Sequence, residues 1–282
     1  MVKKNQYSFP DCICGQTQLL SKFIYREPPK IETIFFDKDI EYYREVKTCQ
    51  VCGHFISFSK FDFSELYQGN YVDKKYADSN GLYRTFKRIV SLPPEKSDNN
   101  GRINRIIDFT NRYFPEKIND GKRSALDVGA GLCVFLNMLK EYDFACTALD
   151  PDQRAVEQAK KVAGVNAVCG DFLKIENIGL YDLITFNKVL EHVKDPVLML
   201  TKANEFLNPG GVVYVEVPDG EIAQTRGAER QEFAIDHFHV FSVISFCFLA
   251  IKSGFDIVSM GRLREPSGKF TLWGFLTKSN KN

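Results

Sequence analysis

Two groups of residues in this chain are spaced for chemistry. Four cysteines gather near the N-terminus as Cys12-x-Cys14-Gly15 and Cys49-x-x-Cys52-Gly53. Much farther on, Asp236-His237-Phe238-His239 collects an acid and two of the chain's four histidines. A tight turn between two cysteines aims both sulfurs at one point, and the glycine after it tolerates positive φ. Two such knuckles supply four thiolates, the closed tetrahedral shell of a structural Zn²⁺. Cys12, Cys14, Cys49 and Cys52 are therefore the candidate ligands, with four free thiols as the alternative. The first pair is C-x-C, and Asp11 occupies the place where C-x-x-C would put its first ligand. Either Cys12 reaches the metal from a shifted turn, which is favoured, or Asp11 replaces it.

A third constellation follows the run Ser124–Val128, which carries Asp127 and is followed by Gly129 and Gly131. An apolar run of this kind suits a buried parallel strand, and the glycines let the backbone turn close to a ligand before a helix. A second run, Phe144–Leu149, closes on Asp150. That is about 20 residues on, where a carboxylate at the second strand end meets a ribose hydroxyl pair. A nucleoside-bearing cofactor across the strand ends is the implication. The dinucleotide pattern G-x-G-x-x-G fails at Val134, and no G-x-x-x-x-G-K-S/T is present.

The stretch Asp127-Val128-Gly129-Ala130-Gly131-Leu132-Cys133 resembles the first motif of class I S-adenosylmethionine-dependent methyltransferases, with Cys133 at the last glycine position. Further matches follow in order: Val165–Val168 with Cys169-Gly170-Asp171-Phe172, Tyr181–Phe186 with Asn187 to Val193, and Asn208-Pro209-Gly210-Gly211 before Val212–Val217. The resemblance implies cofactor contacts from Asp127, Gly129, Gly131, Asp150, Asp171, Phe172 and Asn187, with Asp171 accepting from the adenine amino group. The cysteine knuckles, together with Leu66–Val72, are similar to the start of bacterial methyltransferases of sugar and polysaccharide pathways, including sugar C-methyltransferases. Their long C-terminal extension has no counterpart here, so their substrate is not carried over directly.

Within that resemblance, Phe233 to Ser242 is similar to the run in which sugar C-methyltransferases place a catalytic acid and histidine. Asp236 and His237 match those positions, and His239 stands where a small residue is usual. His192, in Leu190-Glu191-His192-Val193, is a further candidate, as a catalytic group or as a residue that shapes the loop. His54 is expected at the surface or behind the knuckle. His is the commonest proton acceptor near neutral pH. Aligning a nucleophile with an activated methyl can supply about 7–11 kcal/mol. A nearby histidine that takes the nucleophile's proton adds roughly 10²–10⁴-fold. Carbon methylation would instead need a base that makes a carbanion, and the sequence leaves the O, N or C acceptor open.

These groups must be held by elements that alternate strand and helix from Ser124 to Val217, which implies a doubly wound α/β fold. The expected architecture is a mostly parallel seven-stranded Rossmann-like sheet, a zinc module over residues 1–60, a helical lid segment over 61–120 and the cofactor domain over 121–282. Hairpin strands are expected at Ile31–Phe36 and Tyr42–Val46, a polar loop at Pro93–Gly101, and a helix carrying Ile103, Ile106, Ile107 and Phe114. A helix at Ser242–Lys252, a strand near Ile257–Gly261 and a reversed edge strand at Phe270–Thr277 complete the reading.

Net charge is +1 over 282 residues, which does not favour a nucleic-acid partner. A small molecule, carbohydrate-linked on the resemblance, is the expected partner; RNA or protein methylation with the zinc module as a docking arm is the alternative. With 24 Phe and 12 Tyr, core and pocket should be rich in aromatics. Met1–Pro10 lacks an apolar signal core. The longest apolar stretch, Val240–Ile251, falls short of the ~20 residues that span a bilayer, and a cytoplasmic location is expected. Cys133, Cys146, Cys169 and Cys247 read as small buried apolar residues rather than disulfide partners.

Overall fold

The computed structural model describes residues 12–30, 32, 42–59, 79–114 and 121–280. Two sheets organise them. The larger is seven-stranded, in the order β10-β11-β8-β7-β4-β5-β6. Its strands are β4 (Arg123–Val128), β5 (Phe144–Asp150), β6 (Asn166–Cys169), β7 (Tyr181–Asn187), β8 (Leu207–Pro218), β10 (Phe255–Arg264) and β11 (Phe270–Lys278). β4 pairs in parallel with β5 and β7, β5 with β6, and β7 with β8. Both faces of β4 and β7 are covered, so their residues are buried almost continuously rather than in alternation.

The chain leaves β4 toward β5 and β6, then returns to pair β7 on the other side of β4. This reversal of direction opens a crevice beyond the carboxyl ends of β4 and β7, the usual ligand position in an open α/β sheet. β11 runs antiparallel to both β8 and β10. It was expected at the edge, but β10 takes the edge and β11 is wedged inside. Leu272, Phe275 and Leu276 are accordingly buried, which an edge strand would not need.

The smaller sheet is antiparallel, ordered β1-β2-β3-β9: Leu19–Tyr25, Arg44–Cys49, Phe55–Ser59 and His239–Val240. Of the expected hairpin strands, Tyr42–Val46 corresponds to β2, which pairs with Leu19–Tyr25, Leu19 lying opposite Cys49. Residues 31 and 33–36 lie outside the described residues, as do Asp11 and Leu66–Val72. Phe55 and Ile56 pair with Val240 and His239, so the N-terminal module's sheet ends on a strand from the far side of the chain.

Helices Ser79–Val90 and Asp98–Tyr113 precede β4. The second begins inside the expected loop, because Ser97 caps it by accepting from the Asn100 amide. Its Arg102 and Arg105 reach the fully buried Glu216 of β8 at 2.5 and 2.7 Å, fastening helix to sheet. Those two guanidinium groups hold the Glu216 carboxyl at about 2, against burial that pushes it up. The apolar run Val240–Ile251 divides between β9 and the helix Val243–Lys252, capped by Ser242 and with Ile244 and Ile251 exposed. Among the described residues, no helix is long and apolar enough to cross a membrane. Cys133 and Cys146 are buried as expected, whereas Cys169 is exposed and Cys247 half-buried.

Candidate active site and cysteine centre

At the crevice, the turn after β4 is shaped for close approach. Gly129 has φ +69°, and a Cβ there would stand 2.8 Å from the Val189 side chain. Asp150, at the end of β5, accepts from the Gly131 amide at 2.8 Å and the Asp152 amide at 2.9 Å. Across the crevice, Asp127 Oδ1 accepts from the Thr185 hydroxyl at 2.6 Å and from Asn187 Nδ2 at 2.8 Å. Burial raises both acids, Asp127 and Asp150, to about 6. The Asn187 side-chain amide oxygen is buried without a hydrogen-bond partner. Asp171 is exposed, accepts from the Leu173 amide and pairs with Lys174 at 3.2 Å. Phe172 is buried against Phe186 and Phe206. Cys133 opens the helix Val134–Leu139 with φ +59°, a left-handed conformation that explains why glycine is usual there.

Beside this crevice lies a cleft of about 340 Å³ lined by Lys188, Glu191 and His192 after β7, Pro218 after β8, Glu32, and residues 228–237. His192 and His237 face each other edge to face, with ring centres 4.8 Å apart. His192 Nδ1 donates to the Asp236 carbonyl at 2.9 Å, and the Asp236 carboxylate stands 3.7 Å away. His237 Nδ1 donates to the Glu232 carbonyl at 2.7 Å. A carbonyl only accepts, so both rings carry their proton on Nδ1 when neutral and hold a lone pair on Nε2. Burial, with His192 nearby, lowers His237 to about 3.

Glu191 is 1% exposed, and its Oε2 has no hydrogen-bond partner. One ligand atom from each of Glu191, His192 and His237 lies within 4.8 Å of the others. Sequence reasoning passed over Glu191; the available signal was an acid between a buried leucine and a histidine just after a strand end. It also passed over Arg44, fully buried on β2, which donates to the Phe233 carbonyl at 2.6 Å, to Glu32 at 2.9 Å and to Tyr42 at 3.1 Å. Arg44 thereby ties the N-terminal sheet to the wall of the cleft.

His239 and His54 are elsewhere. His239 is buried and does not line the cleft. Its Nδ1 meets His54 Nε2 at 3.0 Å, its Nε2 donates to the Lys194 carbonyl at 3.2 Å, and His54 Nδ1 meets the Ser245 hydroxyl at 3.1 Å. Of the two positions expected for His54, the one behind the knuckle is found, since it is fully buried. Its ring fills the space between the second knuckle and the helix Val243–Lys252.

The cysteine knuckles converge as the spacing implied. The four sulfurs of Cys12, Cys14, Cys49 and Cys52 lie within 4.8 Å of one another, with Cys12 to Cys52 at 3.4 Å and Cys14 to Cys49 at 3.6 Å. A tetrahedral shell with Zn–S near ~2.3 Å separates its sulfurs by about 3.8 Å, so the donor set fits Zn²⁺. Gly15 and Gly53 take positive φ of 91° and 69°, closing both turns. Cys12, Cys49 and Cys52 are buried against Ile56, so the cluster offers no open face to a substrate.

Comparison with known proteins agrees with this geometry. The profile of the family described as a methyltransferase domain matches residues 99–260. The ubiquinone biosynthesis O-methyltransferase of Vibrio parahaemolyticus is 24% identical over 161 residues, 54% of this chain and 61% of that protein. That of Caulobacter vibrioides is 29% identical over 97 residues, covering 32% of this chain and 38% of the relative. The chain thus spans well under two thirds of the length of these relatives. The structure of magnesium protoporphyrin IX methyltransferase from Synechocystis with bound SAH superposes with a TM-score of 0.54 at 14% identity, covering 74% of this chain and all of that one. The chain belongs to the methyltransferase domain family and has the fold of class I S-adenosylmethionine-dependent methyltransferases.

Proposed function

We propose that this protein transfers a methyl group from S-adenosylmethionine to a small, hydroxyl-rich acceptor, a sugar or sugar-linked intermediate. The observation that carries the reading is the histidine pair in a polar cleft beside the Asp127–Asn187 crevice. Asp127, Gly129, Gly131, Asp150, Asp171 and Asn187 would hold the cofactor, with the buried Phe172 as backing. The bound cofactor supplies a sulfonium methyl that is already activated.

The chain's own work is to place the acceptor in line, exclude water and take one proton. The Glu232 carbonyl holds the His237 proton on Nδ1, which leaves Nε2 to accept the acceptor's proton, and the same carbonyl steadies the imidazolium against the burial that opposes it. His192 stands beside it, steered by Asp236. His239 acts from behind, as part of the packing that sets the loop between Asp236 and Ser242. Glu32, Glu191, Arg230, Gln231 and Lys269 give the cleft hydrogen-bonding walls, which suits a carbohydrate better than an apolar ring. The net charge of +1 gives no support to an RNA acceptor. Zn²⁺ at the four cysteines is structural in this reading.

Methyl-labelled S-adenosylmethionine incubated with the protein and a cell extract tests the proposal. Label in small molecules or nucleotide-sugars is the expected result. Label in RNA or protein would overturn the substrate class, and no transfer to any fraction would overturn the activity.

A further inference from the structure

Glu191 stands buried in the wall of the cleft. A carboxylate removed from water costs several kcal/mol unless it is paired, hydrogen-bonded or bound to a metal. Its Oε2 is buried without a hydrogen-bond partner. His192 and Lys188 bear on it electrostatically, while the Lys188 ammonium donates its hydrogen bond to the Thr271 hydroxyl on β11 at 2.6 Å. Two imidazoles stand within 4.8 Å of the carboxylate, and each has its Nδ1 proton tied to a backbone carbonyl. An Nδ1–H···O=C anchor is the second-sphere arrangement that orients a histidine for metal binding through Nε2.

The geometry points to a divalent cation site in the cleft, ligated by Glu191, His192 and His237, whose remaining positions take an oxygen of the methyl acceptor. Two imidazoles and one carboxylate on one side of an ion suit Fe²⁺, Mn²⁺, Co²⁺ or Zn²⁺ and leave coordination positions open. A hydroxyl bound to such an ion loses its proton far more readily. With the ion in place, His237 would serve as a ligand instead of a base, and the ion would lower the acceptor hydroxyl's pKa so that its proton could leave to solvent. The site is separate from the four-cysteine centre, whose soft thiolates select a different class of metal. It rests on the methyl-transfer reading only for its purpose, not for its ligands.

Mn²⁺ added to the zinc-replete full chain is the probe, because Mn²⁺ prefers oxygen and nitrogen donors and is paramagnetic. Electron spin resonance should count one bound Mn²⁺ per chain and detect modulation from imidazole nitrogen. Glu191→Gln and His237→Gln should each weaken Mn²⁺ at least ~10-fold while zinc content and melting temperature stay unchanged. No Mn²⁺ bound, no nitrogen modulation, or equal affinity in both variants would overturn the site. Transfer of label that is indifferent to chelation, with zinc retained, would overturn the ion's role and leave the histidine base standing. Mn²⁺ bound in the expected manner without label transfer to any acceptor would support the site and count against the methyl-transfer reading.

Discussion

The molecule carries two histidine pairs of nearly the same dimensions, and their difference separates structure from chemistry. His54 and His239 are stacked with ring centres 5.2 Å apart; His192 and His237 stand edge to face at 4.8 Å. The first pair is closed. From the Ser245 hydroxyl through His54 and His239 to the Lys194 carbonyl, all four ring nitrogens have partners. The Lys194 carbonyl fixes the proton of His239 on Nε2, so its Nδ1 accepts from His54 Nε2, and both rings are neutral. Burial lowers the pKa of both, His239 to about 4. The second pair is anchored to backbone carbonyls through Nδ1, lines a cleft, and shares it with a buried carboxylate. Histidine count alone would have ranked the two pairs equally; the cleft and its carboxylate decide.

The largest effect should come from the module on which the closed pair rests. Cys49→Ser with Cys52→Ser removes half of the sulfur shell. Structural Zn²⁺ supplies on the order of 10 kcal/mol to such folds. Loss of the β1–β2–β3 amides' protection from hydrogen exchange is the expected result; retained protection would detach the closed pair from any metal. Next, Asp150→Ala should weaken S-adenosylhomocysteine by about 100-fold in calorimetry, since it removes the acceptor that holds the Gly131 turn. An unchanged affinity would move the cofactor elsewhere.

His239→Ala should cost about 2–3 kcal/mol in denaturant unfolding, because it strands His54 Nε2 and the Lys194 carbonyl, yet leave turnover within a few-fold. A large loss of turnover with little loss of stability would place His239 among the reacting groups. The smallest effect is one of pH. Asp127 and Asp150 titrate near 6 in the empty protein, above the ordinary carboxylate value. Their raised pKa favours the empty fold at low pH, and that contribution is lost as pH rises from about 4 through 6. Cofactor binding uses the ionised forms and has the opposite dependence. Affinity for S-adenosylhomocysteine should therefore fall from pH 7.5 to 5 by about 10-fold for each of the two acids that must ionise.

Much of the large sheet was legible because its central strands are largely apolar runs, two of them marked by acids at or near their ends, Asp127 and Asp150. The four-cysteine centre was legible because turn geometry confines both sulfurs of a knuckle. The small sheet was not. β1 alternates poorly, with Leu20 and Ile24 exposed, and β9 has only two residues, so neither carries a periodic signal. Phe270–Lys278 reads as a strand from its residues, but its place between β8 and β10 depends on which neighbours have unpaired edges, a property of the assembled sheet. His54 looked peripheral beside a knuckle glycine; only the approach of the helix Val243–Lys252 buries it. Glu191 was hidden for the same reason, since burial without a partner is a tertiary property.

The contrast between the two pairs is tested most directly by single-turnover methyl transfer in His237→Gln, with cofactor affinity determined on the same preparation. The expected result is a rate at least ~10³-fold below wild type with S-adenosylhomocysteine affinity within about three-fold. A rate within a few-fold of wild type would contradict the assignment of the open pair to the reaction.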